Sequence, residues 1–433
     1  MLLQKSKKIR NGQTIKKIKL GGIVILKKVT EVNKVSYKFF GIPFGTYANK
    51  KMPTADKMQP ISAFYTQKVN PKHLWIDHSL GGGTDVYSQK QFNNLKSKQQ
   101  IWRVQYFPAY QKFLITVIDG ENTTRYWIED KPKLKNVLQK ANFSEITVNN
   151  LVGYNNSLEM LEMVKELKSN TAPAPKVSFR GHDFQAICPS FNLLDKKQRF
   201  CGLKNLQTCE KCLPQIKLGT NSFEDKILRS GAENIAAWRK SWGEFFSQTI
   251  DEMIVFAPVI RDMFINIYPF LQNKIKVIPH QVQLLQKAEI PPHKGINIAV
   301  LGEISLPQKG NKIIRQMCKV LPNYRDVKII IIGKYHQPPR NLRVTGRYNP
   351  QDLPQIMQKE KIDVIFIPSI WPETFSYTTA EAISMGLPVA CYDLGAQAEQ
   401  VKAYAEGLIL QDMNPTADLY ELINFVLKLR KEK

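Results

Sequence analysis

Two periods of apolar positions run along most of this chain. Short β-branched runs alternate with stretches in which an apolar residue recurs every third or fourth place, the patterns of buried strands and of the helices that cover them. His73 to His78 is one such run. It ends in Leu80-Gly81-Gly82-Gly83-Thr84, after which Val86, Tyr87, Phe92 and Leu95 fall on one helical face. Ile101 to Tyr106, Phe113 to Ile118, Glu145 to Val148, Val177 to Arg180 and Met253 to Phe256 read as further strands, with Leu158 to Leu167 as the clearest helix among them. A polar, proline-bearing break from Ile278-Pro279-His280 to Pro291-Pro292 follows. Beyond it the scheme returns: Ile296 to Leu301, Lys312 to Val320, Val327 to Ile332, Asp352 to Lys359, Val364 to Pro368, Thr378 to Met385 and Pro388 to Tyr392. Strands alternating with helices predict parallel sheets covered on both faces, so the fold class is α/β with two Rossmann-like, doubly wound halves. Such sheets bind ligands at the carboxyl ends of their strands, which places the site in the cleft between the halves.

The first seventy residues differ. Lys19-Leu-Gly-Gly-Ile-Val and Lys38-Phe-Phe-Gly-Ile-Pro repeat one short pattern that reads as strand and turn. The expected organisation is therefore a basic segment over 1–70, an amino-terminal half over 71–280 and a carboxy-terminal half over 281–433.

Composition sharpens this picture at one point. The 433 residues carry 62 Lys+Arg against 37 Asp+Glu, a net charge of +25, and the excess is uneven. Fourteen basic residues, Lys5 through Lys57, face only Glu31 and Asp56 over the first 57 positions. Apolar side chains beside dense lysine suit an anionic membrane surface, each nearby Lys contributing about 1 kcal/mol; a solvated basic tail packed on the body is the other reading. No apolar run is long enough to span a bilayer, and Met1 to Arg10 lacks the apolar core of a secretory signal. With six cysteines in so long a chain, a reducing, cytoplasmic setting is expected, peripheral on the inner face of the cell membrane. Four of those cysteines are close in sequence, Cys188, Cys201, Cys209 and Cys212. The last two form a C-x2-C pair, so a structural zinc site is one reading and reduced thiols the other.

The segment richest in chemistry is Pro368-Ser-Ile-Trp-Pro-Glu373-Thr-Phe-Ser-Tyr-Thr-Thr-Ala-Glu381-Ala-Ile-Ser-Met-Gly386-Leu-Pro388-Val. A strand ends at Pro368, a loop carries Glu373, and a helix starting near Ser376 carries Glu381. The free N–H groups of that helix terminus favour a phosphate, and the carboxylates can accept hydrogen bonds from sugar hydroxyls. A nucleotide-sugar offers both; a helix with a solvated, charged first turn is the plainer alternative. Neither G-x-x-x-x-G-K-[ST] nor G-x-G-x-x-G is present, which removes the main support for ATPase and dinucleotide readings.

The string Pro-Glu-Thr-Phe-Ser-(x4)-Glu-Ala-(x3)-Gly-Leu-Pro-Val resembles the donor-binding signature of retaining GT-B glycosyltransferases of the family 4, or group 1, type. Further segments resemble that family in the same order: Gly81-Gly82-Gly83, Gly181-His182-Asp183, Val277 to Gln281, Leu301-Gly302 to Lys309-Gly310, and Val344-Thr-Gly346. The likeness is dense over 296–400 and patchier over 72–280. It implies a GT-B fold and transfer of a sugar, with retention and without a divalent metal, from a nucleotide-sugar to a hydroxyl of a glycan or lipid-linked saccharide in cell-surface polysaccharide biosynthesis. It implies Glu373, His182 and Lys309 as catalytic residues, Lys309 neutralising the departing diphosphate. Glu381 would hold the ribose, with Gly302, Thr374, Phe375, Ser376, Tyr377, Gly346, Gly81, Gly82 and Gly83 completing the donor site. Glu303-Ile304 stands where relatives have an arginine, so a second phosphate cation is expected from Arg347 or Arg340. Asp183 is expected to orient the His182 ring, and Thr84 or Asp85 to cap the helix after the glycines. Other classes in view are a non-catalytic saccharide-binding subunit, a sugar-nucleotide epimerase and a basic nucleic-acid-binding protein, the last without any nucleic-acid motif.

Overall fold

The computed structural model describes residues 3–10, 13–20, 23–31, 34–39, 42–48, 61–65, 71–218 and 221–432. The chain forms two compact units, Met1–Pro60 with Thr124–Tyr126, and Ile61–Thr123 with Trp127–Lys433.

The first unit contains five antiparallel strands in sequence order, β1 Leu3–Arg10, β2 Gln13–Leu20, β3 Ile23–Glu31, β4 Lys34–Phe39 and β5 Ile42–Ala48. Leu3 pairs with Leu20, Thr14 with Thr30 and Lys34 with Ala48, so each strand returns beside the last. The residues Gly21, Gly22, Phe40 and Gly41, on which the repeat is centred, lie outside the described residues.

The second unit holds two larger sheets. In the amino-terminal half the strands are β6 Lys72–His78, β7 Gln100–Phe107, β8 Lys112–Asp119, β9 Asn122–Ile128, β10 Glu145–Val148 and β11 Lys176–Arg180. A two-residue pair, β12 Lys217–Leu218 and β13 Asn221–Ser222, stands apart, and β14 Glu252–Val255 and β15 Ile275–Val277 complete the sheet in the order β15-β14-β11-β10-β6-β7-β8-β9. From β15 to β7 every pairing is parallel, whereas β8 runs antiparallel to β7. The parallel pairing expected of this half thus holds from β15 to β7 and gives way to a hairpin at β8. Only four residues join β7 to β8, enough for a hairpin but far short of a parallel crossover.

The carboxy-terminal half contains β16 Ile296–Glu303, β17 Val327–Lys334, β18 Arg343–Val344, β19 Val364–Ile367, β20 Val389–Tyr392 and β21 Gly407–Leu410, ordered β18-β17-β16-β19-β20-β21. All its pairings are parallel. Its strands read as unbroken apolar runs because both faces are covered: Ile298 and Val300 pack into one core, Ala299 and Leu301 into the other. Strand order reverses on either side of β6 and of β16, so crevices open at the carboxyl ends of these strands. No helix among the described residues is long and apolar enough to cross a membrane.

Candidate donor site

The crevice beside β16 is built by close approach of backbone. Lys309 ends a single 3₁₀ turn, Pro307–Lys309, and Gly310 follows with φ of +76°. A Cβ on Gly310 would lie 2.0 Å from the Pro368 carbonyl oxygen, so only glycine lets the Lys309 loop touch the end of β19. The Lys309 ammonium consequently reaches the Glu373 carboxylate, donating to Oε1 at 2.7 Å. The Ser369 hydroxyl donates to the same oxygen. Glu373 is 3 % exposed, and its backbone is clamped as well, its N–H donating to the Gln397 side-chain oxygen at 3.0 Å and its carbonyl accepting from Ala396 at 2.9 Å. A buried carboxylate held by an ammonium and a hydroxyl is fixed in position as well as in charge.

Three residues on, Ser376 caps the helix Tyr377–Ser384. Its φ is −115°, ordinary extended backbone that a serine adopts freely. No side chain caps the helix; the Ser376 hydroxyl instead accepts from Thr379 at 2.8 Å. Its first-turn N–H groups are therefore left without a side-chain cap, an arrangement that suits an anion. Glu381 lies one turn further along the helix. Burial pushes its carboxyl up to about 7, with Lys90 opposing the shift. Gly302, at φ +101°, lies one residue before the end of β16 and beside this turn, where a Cβ would lie 3.6 Å from Thr378. Gly346, at φ +92°, donates its N–H to the Gly333 carbonyl on the neighbouring strand edge.

The amino-terminal half supplies the facing wall. His182 follows β11 and is 8 % exposed, with Tyr87 and Phe256 at ring-centroid distances of 4.9 and 4.5 Å. Burial, reinforced by the charges of His280, His78 and Arg180, holds the imidazole well below its ordinary pKa, so it is neutral. Its orientation comes from Asn149, not from Asp183. The Asn149 amide nitrogen donates to Asp77 and to Ser88, both at 3.1 Å, leaving its oxygen to accept from His182 Nε2 at 3.0 Å. Asp183 has other work, accepting from the Gln185 N–H and the Asn150 amide. Asp77 is fully buried and paired with Arg103 at 2.6 Å.

The halves meet at several points around this wall. The Thr374 hydroxyl donates to the His182 carbonyl at 2.9 Å. Phe375 stacks on His280 with centroids 4.5 Å apart, and His280 Nδ1 bonds the Tyr377 hydroxyl at 2.7 Å. In the glycine-rich loop Gly81 and Gly82 have positive φ, and Gly82, not Thr84 or Asp85, occupies the cap of the helix Gly83–Leu95. Asp85 is engaged by Arg103 instead. A Cβ on Gly83 would press on the Tyr377 ring at 3.3 Å, so the loop rests directly on the start of the helix Tyr377–Ser384. Arg340 and Arg347, the expected second cations, are both exposed. Sequence reasoning passed over Asn149, Ser369 and Gln397; the pair Asn149-Asn150 directly after β10 was the available signal, polar amides at a strand's carboxyl end.

The four clustered cysteines line one cavity of about 250 Å³. Of the two readings of their spacing, structural zinc and reduced thiols, the side-chain partners fit the thiols. Cys188 bonds Ser190 at 3.1 Å, and Cys209 lies 3.8 Å from the Lys204 carbonyl and 3.5 Å from the Arg239 guanidinium. Burial pushes the Cys188 thiol up to about 11 and raises Cys201 and Cys212, which disfavours thiolates. Among the described residues no three His, Cys, Asp or Glu side chains are grouped so as to hold a metal ion.

Residues 284–433 match the family described as Glycosyl transferases group 1. No curated protein matches the sequence. Among solved structures, Anabaena HepE in complex with UDP-glucose is similar at 13% identity and a TM-score of 0.52, over 83% of this chain and 90% of that one. The sucrose-phosphate synthase of Thermosynechococcus elongatus is similar at 13% identity and a TM-score of 0.50, over 82% of this chain and 90% of that one. The fold is GT-B, and over residues 284–433 its carboxy-terminal part matches the glycosyltransferase group 1 family.

Proposed function

We propose that this protein is a glycosyltransferase that moves a sugar from a nucleotide-sugar to a hydroxyl of a glycan or lipid-linked saccharide, with retention of configuration. One observation carries the reading: Glu373 is fixed by Lys309 beside an uncapped helix terminus, with Glu381 on that same helix and His182 across the crevice. The terminus and Lys309 would take the diphosphate as its charge develops, Glu373 would bind hydroxyls of the transferred sugar, and Glu381 would hold the ribose. Neutral His182, its Nε2–H donating to the Asn149 amide oxygen, has Nδ1 as an acceptor for a sugar hydroxyl. The positive groups do the work that a divalent cation does in other transferases. The basic first unit favours attachment to an anionic membrane surface, where a lipid-linked acceptor of surface-polysaccharide synthesis would be found.

The test is thermal unfolding of the purified protein against a panel of nucleotide-sugars, beginning with UDP-glucose, the compound bound in the HepE structure. A donor that binds the folded chain raises the midpoint, the stabilisation growing as the logarithm of its concentration over Kd. Absence of any shift across UDP-, GDP-, ADP- and CMP-sugars at millimolar concentration overturns the proposal.

A further inference from the structure

The donor-side helix is approached by one cation that belongs to no motif. Lys90 lies on the helix Gly83–Leu95, two turns beyond the glycine-rich loop. Its ammonium donates to the Gln281 carbonyl at 2.7 Å and stands 5.7 Å from the centroid of the Tyr377 ring. Tyr377 opens the donor-side helix, and Glu381 follows it by four residues, on the same helical face. Lys90 therefore brings a charge from the amino-terminal half to the first turn of the carboxy-terminal helix.

Its two contacts, a carbonyl and an aromatic face, are both uncharged, so neither neutralises it. The charge is felt locally: it opposes the upward shift of Glu381 and adds to the downward shift of His280. The charge count of the crevice gives this significance. Lys309 is already matched by Glu373, and Arg340 and Arg347, from which a second cation was expected, are exposed. A helix terminus supplies the equivalent of about half a positive charge, whereas a sugar-bound diphosphate carries about two negative ones. The deficit needs a mobile cation within reach, and a lysine whose present partners are neutral exchanges them readily for a stronger, charge-assisted bond.

We propose that Lys90 is the second phosphate ligand of the donor site, contacting the nucleoside diphosphate from the amino-terminal wall. The assignment rests on the function proposed above and adds to it. Because Lys90 now holds Gln281, in the segment joining the halves, its transfer to phosphate ties donor binding to the seating of one half against the other.

The experiment compares wild type, Lys90→Met and Lys90→Arg by calorimetric titration with UDP and ADP and with the uncharged nucleosides uridine and adenosine, unliganded midpoints being recorded alongside. The expected result is a tenfold or greater weakening of diphosphate binding in Lys90→Met, no change for the nucleoside, and affinity largely kept in Lys90→Arg. Equal diphosphate affinity in Lys90→Met and wild type overturns the inference while leaving the proposed function standing. A parallel loss of nucleoside binding also overturns it, since the residue would then act through packing. If wild type binds neither diphosphate, the inference and the donor-site reading fall together.

Discussion

The Asn149 amide oxygen lies 3.0 Å from His182 Nε2, and this single contact decides which imidazole nitrogen carries the proton. The amide cannot turn over, because its nitrogen is held by the Asp77 carboxylate and the Ser88 hydroxyl. Its oxygen must therefore face the ring, and an acceptor there requires hydrogen on Nε2. Nδ1 is left with its lone pair. The chain from Arg103 through Asp77 and Asn149 to His182 thus transmits a fixed geometry from β7 to the crevice.

Asn149→Ala should leave His182 free to exchange tautomers. Turnover is expected to fall about tenfold or more, matching the roughly 1 to 2 kcal/mol carried by such a bond, with donor KM little changed. Steady-state kinetics against varied donor check this; an unchanged kcat removes His182 orientation from the mechanism. Arg103→Ala is expected to cost more in stability, about 3 to 5 kcal/mol, because it leaves Asp77 buried and unpaired.

The two glutamates should separate in kinetic signature. Glu381→Ala is expected to raise the donor dissociation constant, while Glu373→Ala slows turnover with donor affinity largely kept. Lys309→Ala should lower kcat by about a hundredfold to a thousandfold, the scale for loss of a group that meets developing charge. Full activity in both glutamate variants would show that the crevice is not the reacting site.

Glu381 gives a pH test whose sign is fixed by its environment. Burial lifts its folded pKa to about 7 from an ordinary 4.5, so between those values the folded chain binds more protons than the unfolded one. This group therefore makes folding less favourable as pH rises from about 4.5 to about 7, and its effect is constant above. The stability gained by Glu381→Gln over wild type should grow across that window, in urea titrations at successive pH values. Donor binding should move the opposite way, weakening as pH falls through about 7 when the carboxylate loses its charge. A flat binding profile in Glu381→Gln completes the assignment.

Gly310→Ala should be disabling out of proportion to its size. Positive φ strains alanine by about 1 kcal/mol, and the approach to Pro368 adds a backbone collision that the loop must relieve by withdrawing Lys309. A lowered unfolding midpoint with donor stabilisation reduced by more than the global loss is expected.

Much of this was readable in the sequence because strand and helix periods differ and the carboxy-terminal sheet is covered on both faces. Ile329 to Ile332 could be little other than a central strand, and Glu373 and Glu381 announced themselves by the helix start between them. Partners that depend on tertiary register did not. Asp183 adjoins His182 in sequence, yet Asn149, from the neighbouring strand β10, reaches the ring. Lys90 lies outside every donor motif and enters only because Gly83 lets its helix rest on Tyr377. The cysteine spacing does bring the four thiols to one cavity, but their individual partners, Ser190 for Cys188 and Arg239 for Cys209, depend on the fold.

The bond between Lys309 and Glu373 has a consequence for selectivity against the many small anions a cell contains. A resting crevice whose lysine is already satisfied exerts little pull on inorganic phosphate or a stray nucleoside monophosphate, which would have to separate the pair with nothing to offer the stranded carboxylate. A donor brings both halves of the exchange at once, oxygens for the ammonium and hydroxyls for the carboxylate. Discrimination would thus be built into the cost of opening the site, before any contact with the base is made.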